Sequence, residues 1–142
     1  MAHDVEHRLR LSGDPAALET LNAAVEAFAE AAGLGARQTH DLNLVLEELF
    51  TNTVTHGYGP DEVGWVGIVL RSSGGGVQLE LSDGGRAFDP LAHPDPPPPA
   101  TLDEAPIGGL GVALVRRLTR GGRYRRVAGE NHLTLELRPP PS

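Results

Sequence analysis

Three groups of residues in this 142-residue chain have types and spacings suited to chemistry. Glu48, Asn52 and His56 stand at i, i+4 and i+8, so on a helix each step advances about 6 Å and turns about 40°, and the three form one polar line. A carboxylate one turn before a carboxamide can supply a proton acceptor and a neutral oxygen ligand for a hard cation. A solvated helix face is the plainer reading of the same pair. His56, beside Gly57, reads as a helix C-terminal residue, and His3, His7, His40, His93 and His132 show no metal-binding spacing.

The second group is Asp83 with Gly84 and Gly85. In Val77 to Asp83 the apolar set is Val77, Leu79 and Leu81, so strict alternation puts Asp83 on the same core-facing side. A buried carboxylate is costly unless it is paired or hydrogen-bonded. The glycines after it let a ligand or a backbone come close. One reading has Asp83 accept a hydrogen bond from a group entering a cleft, such as the exocyclic amine of a purine; the other is an Asx turn at a strand end. The third group, Gly108-Gly109-Leu110-Gly111, opens a helix whose N-terminal amides can hold phosphate oxygens.

Composition removes several rival chemistries. All 12 basic residues are arginines, so a Walker lysine, a kinase strand lysine and Schiff-base catalysis are excluded. Cysteine is absent, which excludes disulfides, thiolate metal sites and a cysteine nucleophile. A net charge of −7 argues against direct nucleic-acid binding, and the arginines clustered between Arg116 and Arg126 have one aromatic among them, Tyr124. That cluster reads as a solvated face or a contact for an acidic protein partner. No apolar run approaches the ~20 residues of a membrane span, and the first residues lack the order of a signal peptide, so a soluble cytoplasmic protein is expected, with no membrane partner.

The elements that must position these residues are legible in outline. Val5, His7, Leu9 and Leu11 alternate as a half-buried strand ending at Ser12-Gly13. Asp14-Pro15 supplies an N-cap and a first-turn proline for a helix to about Ala32, closed by Gly33. A second helix runs from about Arg37 to His56, with Leu42, Val45, Leu46, Leu49 and Phe50 on its apolar stripe. The polar line of Glu48 falls at that stripe's edge. Val63 to Arg71 and Val77 to Asp83 read as a hairpin across Ser72 to Gly76. Residues 86–107 hold seven of the 12 prolines and no apolar periodicity, the texture of a lid rather than of a packed element. A helix to about Arg120 and strands Arg123 to Ala128 and His132 to Arg138 follow, and residues 139–142 read as a frayed tail. The order predicts a single α/β domain over residues 1–142, a two-layer sandwich of a mixed, largely antiparallel sheet with helices on one face.

Together, Glu48-x-x-x-Asn52 with His56-Gly57-Tyr58, then Asp83-Gly84-Gly85-Arg86-Ala87-Phe88-Asp89-Pro90, then the Gly108 to Gly111 loop, resemble the N, G1 and G2 boxes of the GHKL ATPases. The run ELFTNTVTHGY is most similar to the anti-sigma factor serine/threonine kinase branch. The resemblance implies a Bergerat ATP-binding fold. Asn52 would be the Mg²⁺ ligand and Glu48 the general base acting on a substrate serine. Asp83 would bind the adenine amine with Gly85 letting the base lie close, and Gly109 and Gly111 would let the lid wrap the triphosphate. It also implies a partner switch in which a homodimer binds a sigma factor and phosphorylates an anti-sigma factor antagonist. Ile107 stands about where some kinases of this branch carry an arginine, which leaves Arg116 or Arg86 to meet phosphate charge. A second reading is therefore an ATP-responsive partner-binding regulator that transfers no phosphate.

Overall fold

The structure, a computed structural model, describes residues 4–59, 61–92 and 111–139. Five strands and three α-helices run in the order β1 (Val5–Ser12), α1 (Leu18–Ala32), α2 (Ala36–Gly57), β2 (Trp65–Ser73), β3 (Gly76–Asp83), α3 (Gly111–Leu118), β4 (Thr119–Val127) and β5 (Glu130–Leu137). The strands form one sheet of order β1-β2-β3-β5-β4. All four pairings are antiparallel, so the sheet expected to be mixed and largely antiparallel is antiparallel throughout its described strands.

Alternation builds the core. Val66, Ile68 and Leu70 from β2, Leu79 and Leu81 from β3, and Leu133, Leu135 and Leu137 from β5 are buried in one cluster with Leu21, Val25 and Phe28 of α1 and Leu42, Leu46 and Phe50 of α2. Each such side chain contributes about 1.5–3 kcal/mol by leaving water, which holds the helices on this one face. The opposite face is polar. There Arg71 bridges Glu6 (2.7 Å) and Glu80 (2.6 Å), Arg120 pairs with Glu136 (2.7 Å), and the Arg10 guanidinium lies 4.2 Å from the centre of the Trp65 ring.

Local signals set most boundaries. The Asp14 side chain accepts from the Ala16 amide, but it caps a 3-10 turn (Pro15–Ala17) that leads into α1 rather than α1 itself. Gly33 closes α1 with φ +72. Gly74 and Gly75, both at positive φ, make the two-residue turn whose twist suits a hairpin. β2 starts at Trp65, not Val63, which is 81% exposed. α3 ends at Leu118, short of the expected Arg120, because Thr119 already pairs with Leu137 in β4, and the Thr119 hydroxyl donates to the Val115 carbonyl (2.6 Å). β4 then passes a register shift between Arg120 and Arg123, so it begins four residues before the expected Arg123.

Register carries the sheet's chemistry. One inward row reads Leu9, Ile68, Leu81, Leu133 and Tyr124; the next, nearer the sheet's end, reads Leu11, Val66, Asp83, Asn131 and Arg126. The apolar core thus gives way, within one pleat, to a row that is polar on three adjacent strands.

Candidate active site

Asp83 ends β3 and is 7% exposed, on the core-facing side that alternation required. Its Oδ1 accepts from the Gly85 amide (2.9 Å) and from Asn131 Nδ2 (2.9 Å). Asp83 lines a cavity of about 20 Å³ together with Leu49, Thr53, Leu81, Phe88, Pro90, Tyr124, Asn131 and Leu133. That is room for about one water molecule, with Phe88 and Pro90 forming part of its wall. Phe88 in turn stacks on His56 of α2, ring centres 5.3 Å apart and planes 29° from parallel. A larger hollow, about 610 Å³, lies on the polar face of the sheet among Arg71, Gln78, Glu80, Arg123 and Arg125. It contains none of the predicted site residues, and the small cavity is where the chemistry converges.

The turn after Asp83 is held by α2. The Arg86 amide donates to the Gly57 carbonyl (2.8 Å) at the helix end. A Cβ on Gly85 would stand 2.4 Å from the Gly57 carbonyl oxygen and 3.1 Å from Asp83 Oδ1. Glycine at 85 is therefore demanded by the packing of this turn on α2, before any ligand is considered. The Tyr58 hydroxyl fastens the same region: it accepts from the amides of Gly84 (3.0 Å) and Trp65 (3.1 Å) and donates to the Trp65 carbonyl (2.7 Å). A Cβ on Gly64 would overlap the Tyr58 ring, so that glycine makes room for the ring.

On α2, Asn52 is buried, Glu48 half-buried and His56 exposed, which places the polar line at the edge of the apolar stripe. Partial burial raises the Glu48 pKa above its ordinary value, and the neighbouring Glu47 charge raises it further. A carboxylate pushed in this direction is better suited to take a proton. Among the described residues Asn52 Nδ2 is buried with no hydrogen-bond partner, as are Asn22 Oδ1, Asn43 Oδ1 and Ser72 Oγ. Among the described residues no three His, Cys, Asp or Glu side chains cluster as a metal site.

Gly111 is the first residue of α3; Gly109, most of the proline-rich stretch expected to act as a lid (93–107, with Ile107) and residues 140–142 lie outside the described residues. The two arginines considered for phosphate charge differ in placement. Arg86 is exposed, whereas Arg116 Nη2 donates to the Leu91 carbonyl (2.6 Å), tying α3 to the segment that follows β3.

Sequence reasoning missed Asn131 and Tyr124, which line the Asp83 cavity, and Arg126, which bonds to Asn131. Asn131 Oδ1 accepts from the Tyr124 hydroxyl (2.5 Å) and Arg126 Nη1 (3.1 Å), and Arg126 Nη1 also donates to the Gly85 carbonyl (2.7 Å). A signal existed: residue 131 is in phase with Leu133, Leu135 and Leu137, a polar residue where the pattern calls for an apolar one.

Comparison with known proteins places the chain in a family. Residues 11–137 match the histidine kinase-like ATPase domain family. The serine/threonine-protein kinase BtrW of Bordetella bronchiseptica is 35% identical over 106 residues, covering 75% of each chain. The crystal structure of the RsbU and RsbW domains of Rv1364c from Mycobacterium tuberculosis superposes with a TM-score of 0.66 over 94% of this chain, at 20% identity. This chain spans 32% of that solved chain, and the likeness concerns the fold. The chain belongs to the histidine kinase-like ATPase domain family, in the anti-sigma serine/threonine kinase branch of the GHKL ATPases.

Proposed function

We propose that the chain transfers the γ-phosphoryl group of ATP to a serine or threonine hydroxyl of an anti-sigma factor antagonist, and that in the unphosphorylated partner's absence it holds a sigma factor. The observation that carries the site assignment is Asp83, a buried carboxylate at a cavity with one oxygen already held by Gly85 and Asn131 and the other accepting from no described residue. The kinase relative supports transfer over a module that only binds nucleotide.

In this reading Asp83 accepts a hydrogen bond from the adenine amine, with the base lying against the Gly84-Gly85 turn. Asn52 would present its amide oxygen to Mg²⁺, which would supply positive charge to offset that of the phosphates. The amides around Gly109 and Gly111 hold phosphate oxygens at the start of α3, in place of the missing lysine. Glu48 accepts the proton of the substrate hydroxyl as that oxygen bonds to the γ-phosphorus and the bond to the ADP oxygen breaks. Phe88 and Pro90, at the start of the lid, exclude water once the base is seated. The protein acts in the cytoplasm as a homodimer, with sigma factor and antagonist as its protein partners.

The test is incubation of the purified chain with labelled ATP, Mg²⁺ and a panel of candidate antagonists. Label should appear on a serine or threonine of one antagonist, and Asp83→Asn should remove ATP binding. Mg-ATP-dependent capture of a partner with no transfer to any antagonist would instead identify a non-transferring regulator.

A further inference from the structure

Asn131 pairs with Asp83 across β3 and β5 and is 4% exposed. Every hydrogen-bonding position of its amide is used. Nδ2 donates to Asp83 Oδ1 (2.9 Å) and to the Arg86 carbonyl (2.7 Å). Oδ1 accepts from the Phe88 amide (3.3 Å), the Tyr124 hydroxyl (2.5 Å) and Arg126 Nη1 (3.1 Å). Turning the amide over would set its oxygen against two acceptors and its NH₂ against an amide N–H and a guanidinium. The partners therefore fix which end faces Asp83.

We propose that Asn131 is a positioning residue that sets the specificity of the base site: by holding Oδ1 of Asp83 it keeps the other carboxylate oxygen in place for the incoming base, and so sharpens the selection of a purine bearing an exocyclic amine over one bearing a carbonyl there. The inference rests on the reading of Asp83 as the base contact. Two N–H donors, from Asn131 and Gly85, converge on Oδ1, and neither can take a proton from it. Oδ2 accepts from no described residue, and Asp83 lines the cavity. An incoming amine satisfies that oxygen, whereas an incoming carbonyl would set acceptor against acceptor in a buried place, the kind of mismatch that gives strong discrimination. The same amide holds the Arg86 carbonyl and the Phe88 amide, so base preference and the position of Phe88 are set by one side chain.

The experiment measures the affinity of the full chain for ATP and for inosine triphosphate, which differ by this amine-to-carbonyl change. The wild-type chain should prefer ATP. In Asn131→Asp a carboxylate oxygen, which cannot donate, replaces the amide N–H that holds Asp83 Oδ1, with Arg126 and Tyr124 facing the new group, so Asp83 loses the contact that positions it. The ratio of ATP to inosine triphosphate affinity should fall by about tenfold or more. Loss of both affinities by the same factor would show a merely structural role and overturn the proposal. Should the aspartate variant not fold, Asn131→Leu releases Asp83 from its donor and should also lower the ratio; an unchanged ratio there overturns it equally. Asp83→Asn separates the two claims: if ATP affinity survives that change, the assignment of the base contact itself fails, whatever the Asn131 variants do.

Discussion

The Gly57 carbonyl oxygen occupies the space a side chain on Gly85 would need: an ideal Cβ there lies 2.4 Å from it. The obstacle is backbone at the end of α2, which cannot swing aside as a flexible side chain would. This close approach lets the Arg86 amide reach the same carbonyl, and it fixes the turn that follows Asp83. Gly85→Ala should therefore push the turn off α2 and misplace Asp83. A loss of about 1–3 kcal/mol in unfolding free energy is expected from the overpacking, with ATP binding weakened beyond that of other surface-turn variants. Denaturant unfolding and ATP titration of the variant check both; a variant of wild-type stability would show the turn to be free of α2.

The sequence made Asp83 readable because a period of two leaves no choice: with Leu79 and Leu81 buried, residue 83 must face inward. Glu48 and Asn52 were readable for the corresponding reason on a helix. Asn131 was not, because the strand was begun at His132 and the residue opposite Asp83 fell in an unassigned turn. Pairing partners across a sheet are set by register, and a register is a tertiary fact that a one-residue error in a strand boundary conceals. β4 was shortened for another reason. The helical pattern of Val112 to Leu118 carries on through Thr119 and Arg120, and only pairing with Leu137 and Glu136 makes those two residues a strand.

The β4–β5 turn was also silent in sequence, since it uses Ala128-Gly129 where hairpins prefer Asn-Gly or Gly-Gly. Ala128 has φ +52, a conformation that costs an L-residue with a plain Cβ roughly 1–2 kcal/mol. Ala128→Asn keeps the turn and tolerates that conformation, so it should stabilise the protein by about 1 kcal/mol and raise the melting temperature by a few degrees. ATP binding should not change. A lower melting temperature would mean that the turn is not built this way.

Glu48→Gln is expected to lower phosphotransfer by about 10²–10⁴-fold, the range lost when a positioned base is removed, while ATP still binds. The raised pKa of Glu48 adds a pH signature. Burial, followed by the Glu47 charge, disfavours its ionised form, so the acid side of the wild-type rate profile should fall off above the ordinary glutamate value of 4.5. For stability the sign is opposite to that of a salt-bridged carboxylate. A carboxyl with a raised folded pKa favours the folded state while protonated, and that contribution is lost as pH rises through the folded value. The glutamine variant should thus be at least as stable as wild type at neutral pH, with any difference disappearing in acid. A rate profile that ignores pH down to 4.5, or a glutamine variant with full transfer, would remove Glu48 from the role of base.

Asn52 separates folding from function most cleanly. Its buried Nδ2 has no hydrogen-bond partner among the described residues, and a buried donor left unpaired costs about 1–3 kcal/mol. Asn52→Leu, similar in volume, removes the unpaired group and should raise the melting temperature of the nucleotide-free protein. The same change removes the oxygen assigned to Mg²⁺, so Mg²⁺ should no longer tighten ATP binding, and transfer should be lost. Thermal melts without nucleotide and ATP titrations with and without Mg²⁺ measure the two effects independently. If the leucine variant is less stable and retains a full Mg²⁺ effect, Asn52 is a structural residue and the metal must be held elsewhere.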